Sequence, residues 1–387
     1  MSPGTAPAWL SRLVLYTGFM ATGVGMALPG SVLPTLLTQW HLADSQAGLF
    51  FFMGWMGTSV GALLVRPSRS RSVAIGSLLT SVGLIGMAYG SHWTCFVWMA
   101  VFGVGLGMAM TAISLLQASR NVTRRGAELN QLNLVWALGA CLCPTLATHS
   151  LRVTNTRAIF LSTGIFFALL FAWSALMERD PGARVEDSGG LIGKWRVSFL
   201  RSKLANLLLW PLSLVVVILL PTGIESSMGG WIAAYVQRTD RVIATTVTAG
   251  TCFWLGLLLS RLLSSTLLLW KRSENAVLVQ SLLTVVAGMV LLVATHASLG
   301  ILPGVFLVGF GLGPVYPLLL AIALQYSENT LIFVVAGLGS AFLPWATGVV
   351  SSSTASLRTG LLVPLGASIL MLALGIRQIQ RRSSSAV

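Results

Sequence analysis

The feature that most constrains this chain is a series of apolar runs, each about 20 residues long, separated by short polar stretches. A helix of that length covers the roughly 30 Å hydrocarbon core of a lipid bilayer. Only 9% of the residues are charged, and the mean hydropathy is +0.84, whereas soluble domains carry roughly 25% charged residues. The sequence therefore predicts an all-α integral membrane protein and excludes a water-soluble fold.

Twelve of these runs are long enough to cross the bilayer, which predicts two bundles of six transmembrane helices. The longest polar interval, 178–204, follows the sixth run. We expect an N-terminal bundle (1–177), a cytoplasmic linker (178–204) and a C-terminal bundle with a short cytoplasmic tail (205–387). The predicted spans are 11–37, 46–65, 73–90, 93–118, 127–149, 157–177, 205–234, 243–266, 275–295, 299–324, 330–350 and 359–376.

The basic residues predict the orientation of these helices. A net charge of +14 would suggest nucleic-acid binding in a soluble protein, but here the bases lie mostly in short segments between apolar runs. Nineteen of the 24 lie on the side of the N-terminus, and cytoplasmic segments are enriched in Lys and Arg, so both termini are predicted to be cytoplasmic. These bases are Arg12, Arg66, Arg69, Arg71, Arg120, Arg124, Arg125, Arg179, Arg184, Lys194, Arg196, Arg201, Lys203, Arg261, Lys271, Arg272, Arg377, Arg381 and Arg382. The outer segments carry Arg152, Arg157, Arg238, Arg241 and Arg358.

The two halves repeat each other at offsets of 199 to 206 residues. Small residues let membrane helices approach closely, so one matched glycine run would be weak evidence. Three matched segments in the same order indicate a parallel duplication, with a binding site expected between the halves. The pairs are 55–57 with 254–256, 103–107 with 309–313, and 138–144 with 338–344.

Glu225 is the acid that lies deepest within a predicted span. An ionisable residue inside a membrane helix indicates a functional site by default, because its burial is costly. Glu225 could bind a polar solute or carry a proton; the alternative is a structural hydrogen bond to another helix. Pro221, Gly223, Gly229 and Gly230 nearby would permit a break in this helix.

The fifth span carries Asn130, Asn133 and Trp136 at three-residue spacing, so they share one helix face. Amides hydrogen-bond hydroxyl groups and an indole stacks on the apolar face of a sugar, which favours a solute-binding cavity. Hydrogen bonding between helices remains the alternative for the amides. Trp254 and Tyr316, deep in the eighth and tenth spans, are further candidates for the cavity or for packing.

Nothing in the sequence indicates catalysis, a cofactor or a metal. A phosphate-binding glycine loop with lysine is missing, and the histidines, cysteines and acids do not cluster with metal-ligand spacing. The four cysteines lie within apolar spans and indicate no disulfide framework. We predict that the protein is not an enzyme and does not bind nucleic acid.

Five segments of the chain carry a family resemblance: LPGSVLPTLLTQWHLADSQAGLFFFMGWMG, LNQLNLVWALGACLCP, GIESSMGGW, GFGLGPVYPLLLAIA and GLGSAFLPWATGVV. They resemble the Major Facilitator Superfamily and, within it, the fucose-permease-like sugar transporters. The resemblance implies a fold of six plus six helices, transport by alternating access, a small polar substrate such as a sugar, symport with protons, and a bacterial-type inner (plasma) membrane. We further expect a monomer.

The chain departs from that family at the gate between its second and third helices. The family's G-x-x-x-D-R-x-G-R-R motif aligns with 61–70, so that Gly61, Arg66 and Arg69 match it and are the predicted gating residues. The family's acid falls on Val65. The resemblance therefore implies a weakened or replaced gate contact.

The chain also departs at the residues that bind sugar and protons in fucose permease. The two helix acids of that branch fall on Gly30 and Met110, and its two sugar-contacting amides fall on Asn133 and Trp136. The substrate and the proton route of that branch therefore do not transfer directly to this chain; if transport is coupled to protons, Glu225 is the natural carrier. We expect a transporter of a sugar or a similar small polar solute; the alternatives are an exporter of amphipathic or drug-like compounds and a membrane sensor built on the same fold.

Overall fold

A computed structural model of the protein describes residues 8–66, 68–120, 125–177, 212–240, 243–269, 273–295, 298–326 and 331–385. Within them lie twelve long helices and one helical turn, which confirms the predicted all-α fold. The first six helices are α1 (Ala8–Gln39), α2 (Asp44–Leu63), α3 (Arg69–Ala88), α4 (Cys95–Arg120), α5 (Arg125–Val153) and α6 (Thr156–Met177). The other six are α7 (Leu212–Asp240), α8 (Ile243–Leu269), α9 (Glu274–Ala294), α10 (Ser298–Tyr326), α11 (Leu331–Thr354) and α12 (Leu362–Ser385), with the turn Leu357–Gly360 before α12.

Nine of the helices within the described ranges are by themselves long and apolar enough to cross a membrane, and α8 carries a shorter apolar part, Thr248–Ser264. The helices α2 and α7 both contribute polar residues, Thr58 and Glu225 among them, to a cavity inside the bundle. A polar side chain is tolerated in a membrane helix where it faces the interior in this way.

The α7 helix is continuous from Leu212 to Asp240, passing through Pro221. The break that Pro221 and the neighbouring glycines would permit is therefore not formed. The glycines instead allow close packing: Gly229 lies against the ring of Trp254, and Gly230 against the ring of Phe51.

The packing of the helices repeats after six helices. In the first half α1 packs against α5, α4 against α2 and α3, and α3 against α6. In the second half α7 packs against α11, α10 against α8 and α9, and α9 against α12. The matched glycine runs produce this arrangement, because Gly103 lies directly on the backbone of Gly54 and Gly309 on that of Phe253.

The two sets of six helices meet along α1 and α7, α2 and α11, and α5 and α8. These pairs also follow the repeat, since α2 with α11 corresponds to α8 with α5. The segment 178–204 lies outside the described residues, so the linker and the bundle boundaries at 177 and 205 remain predictions.

Candidate functional site

A cavity of about 600 Å³ lies between the two sets of helices. Residues of α1, α2, α4 and α5 line one side of it, and residues of α7, α8, α10 and α11 line the other. Its walls are mostly apolar, with a few polar groups. Its volume is within the range typical of small-molecule binding sites, and its position is the one predicted from the internal repeat.

Five of the six predicted substrate-binding residues line this cavity: Asn133, Trp136, Glu225, Trp254 and Tyr316. They come from α5, α7, α8 and α10, and the packing of the two halves brings them together. The sixth, Asn130, belongs to α5, but its side chain lies outside the described residues.

The cavity contains an ion pair between α7 and α8, which are consecutive helices of the second set. The Nη2 atom of Arg261 on α8 lies 3.8 Å from the Oε2 atom of Glu225 on α7. Both side chains are mostly buried, at 13% and 18% exposure respectively. Arg261 also donates from Nε to the carbonyl oxygen of Gly313 on α10, at 3.3 Å. This bond to α10 holds the guanidinium group at the cavity wall.

The assignment of Arg261 to the cytoplasmic bases is wrong, because its side chain lines the cavity. The α8 helix continues to Leu269, about two turns beyond Arg261, so the residue lies within the bundle. The predicted span 243–266 contained Arg261, but a position near the end of a span is also compatible with a side chain that extends to the membrane surface.

Two tryptophans form an aromatic part of the wall where α5 meets α8. The rings of Trp136 and Trp254 are 5.7 Å apart in an edge-to-face arrangement, a geometry that aromatic pairs favour. The guanidinium carbon of Arg261 lies 5.8 Å from the ring centre of Trp136, within the range of a cation–π interaction. Trp136 therefore connects the aromatic wall to the charged pair.

Hydroxyl groups on either side of Glu225 fix α7 against α11. Thr222 donates from Oγ1 to the carbonyl oxygen of Ala336 at 2.6 Å. Ser226 donates from Oγ to the carbonyl oxygen of Ser340 at 3.0 Å. These bonds hold the turn of α7 that carries Glu225 and orient the carboxylate toward the cavity.

One end of the bundle is closed by polar contacts between the halves. Arg238, near the end of α7, donates two hydrogen bonds of 2.7 Å to the carboxylate of Asp44, the first residue of α2. Ser351 of α11 donates to the same carboxylate. The backbone N–H of Ser45 donates to Oγ of Ser352 at 2.7 Å. Side chains of α2, α7 and α11 are thereby joined.

Aromatic packing seals the same end below these polar contacts. Phe51 of α2 meets Trp231 of α7 at a ring distance of 5.8 Å, and Phe52 of α2 meets Phe342 of α11 at 5.3 Å. The indole of Trp231 donates to the carbonyl oxygen of Pro344 at 2.9 Å. The rings of Phe51 and Trp231 are thus buried where α2, α7 and α11 meet, whereas Phe342 lies at the surface of the bundle.

The cavity extends from the centre of the bundle toward the opposite end. Its lining includes Ala62 near the end of α2, Ser264 in the last turns of α8, and Ala336 in the second turn of α11. The distribution of bases predicts that the sealed end is the outer one. With that orientation, the structure corresponds to an inward-facing conformation.

The predicted gating residues lie within the first half in this conformation. Gly61 lies against the backbone of Val104 on α4. Arg69 donates from Nη1 to the carbonyl oxygen of Leu115 at 3.0 Å, and the backbone N–H of Arg66 donates to Ser72 at 2.9 Å. These contacts hold α2, α3 and α4 together at the end opposite the seal; their role in gating remains a prediction.

Gly30 and Met110, where the resemblance places the acids of fucose permease, both line the cavity. Gly30 lies directly on the backbone of Gly229 across the α1–α7 contact. A side chain at that position would clash in this conformation. Among the described residues, the acid of the lining is therefore Glu225 and the base is Arg261.

Two repeated sets of six membrane helices around a central cavity define the architecture of a secondary transporter. The chain belongs to the Major Facilitator Superfamily, which it matches over residues 15–331. Both findings identify the chain as a multi-pass membrane protein of a transporter family.

Comparison with known proteins supports this family assignment. The chain is 28% identical over 149 residues to the "Uncharacterized MFS-type transporter YcaD" of Escherichia coli strains K12 / DH10B and HS. The match covers 37% of this chain and 38% of the length of those relatives.

Solved structures show the same fold at low sequence identity. A D-xylose–proton symporter is similar with a TM-score of 0.71 and 15% identity, over 96% of this chain and 97% of that one. A mutant of the nucleoside transporter NupG is similar with a TM-score of 0.71 and 10% identity, over 95% and 99%. These similarities establish the fold; the finer resemblance to the fucose-permease-like branch remains a prediction.

Proposed function

We propose that the protein transports a sugar or a similar small polar solute across the membrane by alternating access, in symport with protons carried by Glu225. The observation that carries this proposal is the position of Glu225 in a central cavity that is sealed at one end. A buried carboxylate at the interface of two repeats is placed to exchange protons with one side at a time.

Other residues of the cavity support a polar solute. Asn133 offers an amide, and Trp136 and Trp254 offer aromatic faces on the same wall. Similarity to a D-xylose–proton symporter and to a nucleoside transporter is consistent with a solute that carries hydroxyl groups. We further propose a monomer in a bacterial-type inner membrane, with both termini in the cytoplasm.

Uptake into proteoliposomes tests this function. Radiolabelled monosaccharides are offered with and without an inward proton gradient to the wild type, to Glu225→Gln and to Glu274→Gln. Glu274 is an exposed acid in the first turn of α9 and provides the matched control. We expect the gradient to accelerate uptake by the wild type and the control, and to have no effect on Glu225→Gln.

Two results would contradict the proposal. Gradient-driven uptake that persists in Glu225→Gln would exclude Glu225 as the proton carrier. A folded wild-type protein that takes up no member of the panel would exclude the sugar class.

The mostly apolar wall favours a second candidate, export of amphipathic compounds. Met26, Met99 and Met110 line the cavity, and flexible methionine side chains adapt to varied apolar ligands. Thermal stabilisation of the purified protein by tetraphenylphosphonium, and not by sugars, would favour export.

A further inference from the structure

We infer that the transported solute carries a single carboxylate, as sugar acids and small hydroxy acids do, and that Arg261 binds this group while Glu225 holds the accompanying proton. The inference rests on the proposed transport function and narrows its substrate class. It starts from the pairing of Arg261 with Glu225 in the cavity.

The contact between the two charged groups is loose enough for an anion to compete with Glu225 for Arg261. Charge-assisted hydrogen bonds between guanidinium and carboxylate groups are about 2.7–2.9 Å long. The Asp44–Arg238 pair of the same chain has that geometry, with two bonds of 2.7 Å. Glu225 and Arg261 are 3.8 Å apart, so their contact is electrostatic and looser than a bidentate pair.

The chemistry of Arg261 suits a carboxylate of the solute. A guanidinium group has five N–H donors in a planar fork that matches the two oxygens of a carboxylate. The Nε atom of Arg261 is directed to the carbonyl oxygen of Gly313, and this bond keeps the group at the wall. Arg261 also lines the cavity, where a dissolved anion can reach it.

The charge balance of the pair explains why such an anion would enter with a proton. With Glu225 ionised, the charges of Glu225 and Arg261 cancel. A second carboxylate would leave a net negative charge in a largely buried site, which is costly. Protonation of Glu225 restores neutrality, so one proton binds with each monoanion.

The surrounding wall suits a hydroxylated carbon chain attached to that carboxylate. Arg261 lies 5.8 Å from the ring of Trp136, and Trp254 continues the aromatic surface. A carboxylate bound to Arg261 would place the carbons of the solute beside these rings. Asn133 and Tyr316, which also line the cavity, can then hydrogen-bond its hydroxyl groups.

Matched pairs of probes test the inference in the proteoliposomes described above. D-galacturonate is compared with D-galactose, and D-gluconate with D-glucose, with an internal pH-sensitive dye to count protons. We expect the acid of at least one pair to enter at least tenfold faster than its neutral counterpart under an inward proton gradient. One proton should enter for each anion.

Variants connect that selectivity to the two residues. Arg261→Gln should weaken carboxylate binding at least tenfold, as measured by thermal shift on the purified chain. Arg377→Gln, which removes an exposed arginine of α12, should not. Binding by the wild type should weaken as the pH rises, because Glu225 must take up a proton. Glu225→Gln should bind the same anion independently of pH, a result that a purely structural role would not produce.

The outcomes separate this inference from the proposed function. Uptake of the neutral sugars in preference to the acids would overturn the inference and leave the proposed function in place. Uptake of neither class would overturn both. Carboxylate binding that is equal in Arg261→Gln and the wild type would overturn the role of Arg261. If Arg261→Gln does not fold, competition in the wild type decides: neutral sugars that block carboxylate uptake at equal concentration would overturn the inference.

Discussion

Replacing Asp44 by Asn should shift the protein from the conformation described here toward the one open at the sealed end. Asp44 accepts two hydrogen bonds from Arg238 across the interface between the halves. Asn keeps the size of the side chain and removes its charge. Because alternating access requires this end to open, the Asp44–Arg238 contact is expected to stabilise the closed state alone.

The magnitude follows from the geometry of the pair. Hydrogen bonds to charged groups contribute about 1.5–3 kcal/mol. The side chain of Asp44 is 11% exposed and that of Arg238 is 43% exposed, so solvent screening reduces the contribution. We expect a loss of about 1–2 kcal/mol, which changes the ratio of the two conformations roughly tenfold.

Distances between spin labels measure that ratio. Val153 and Thr354 are exposed residues at the sealed ends of α5 and α11, one in each half. Labelled cysteines at these positions, in a Cys252→Ser background, should report a longer distance as the end opens. Asp44→Asn should enrich the longer distance, whereas the distant control Glu274→Gln should leave the distribution unchanged.

A double-mutant cycle with Arg238→Gln provides the decisive comparison. If the pair acts as described, the second substitution should add little to the first, because contacting residues are not additive. A distance distribution that does not change in Asp44→Asn would refute the reasoning. Fully additive effects of the two substitutions would also contradict it.

Two further predictions concern packing and the cavity wall. Gly309→Val should destabilise the purified protein by about 3 kcal/mol through overpacking, because its new side chain would meet the backbone of Phe253. Gly366→Val is the control, since Gly366 has open space around it. Equal melting temperatures of the two variants would contradict the close contact. Trp136→Ala should weaken solute binding roughly tenfold in the thermal-shift assay, since aromatic and cation–π contacts contribute about 1–2 kcal/mol. Trp136→Phe and the exposed control Trp173→Ala should bind the solute normally in the same assay. Normal binding by Trp136→Ala would exclude a role for the aromatic wall.

Much of the site was predictable because membrane helices constrain polar residues strongly. A carboxylate such as Glu225 cannot face lipid without a large cost, so its location in the sequence already indicated the interior of the bundle. The shared helix face of Asn133 and Trp136 follows from helical periodicity alone. The same reasoning could not place Arg261, because an arginine near the end of a span can also extend to the membrane surface.

The sequence by itself determined the class of fold: hydropathy defined the twelve helices, and matched segments such as 103–107 and 309–313 revealed the repeat. These signals are local, since they depend on helix length, periodicity and close packing by small residues. The tertiary structure alone decided that Arg261 meets Glu225, that Asp44 binds Arg238, and which end of the cavity is sealed. Those contacts join helices that are far apart in the chain, and no local pattern specifies the distance between them.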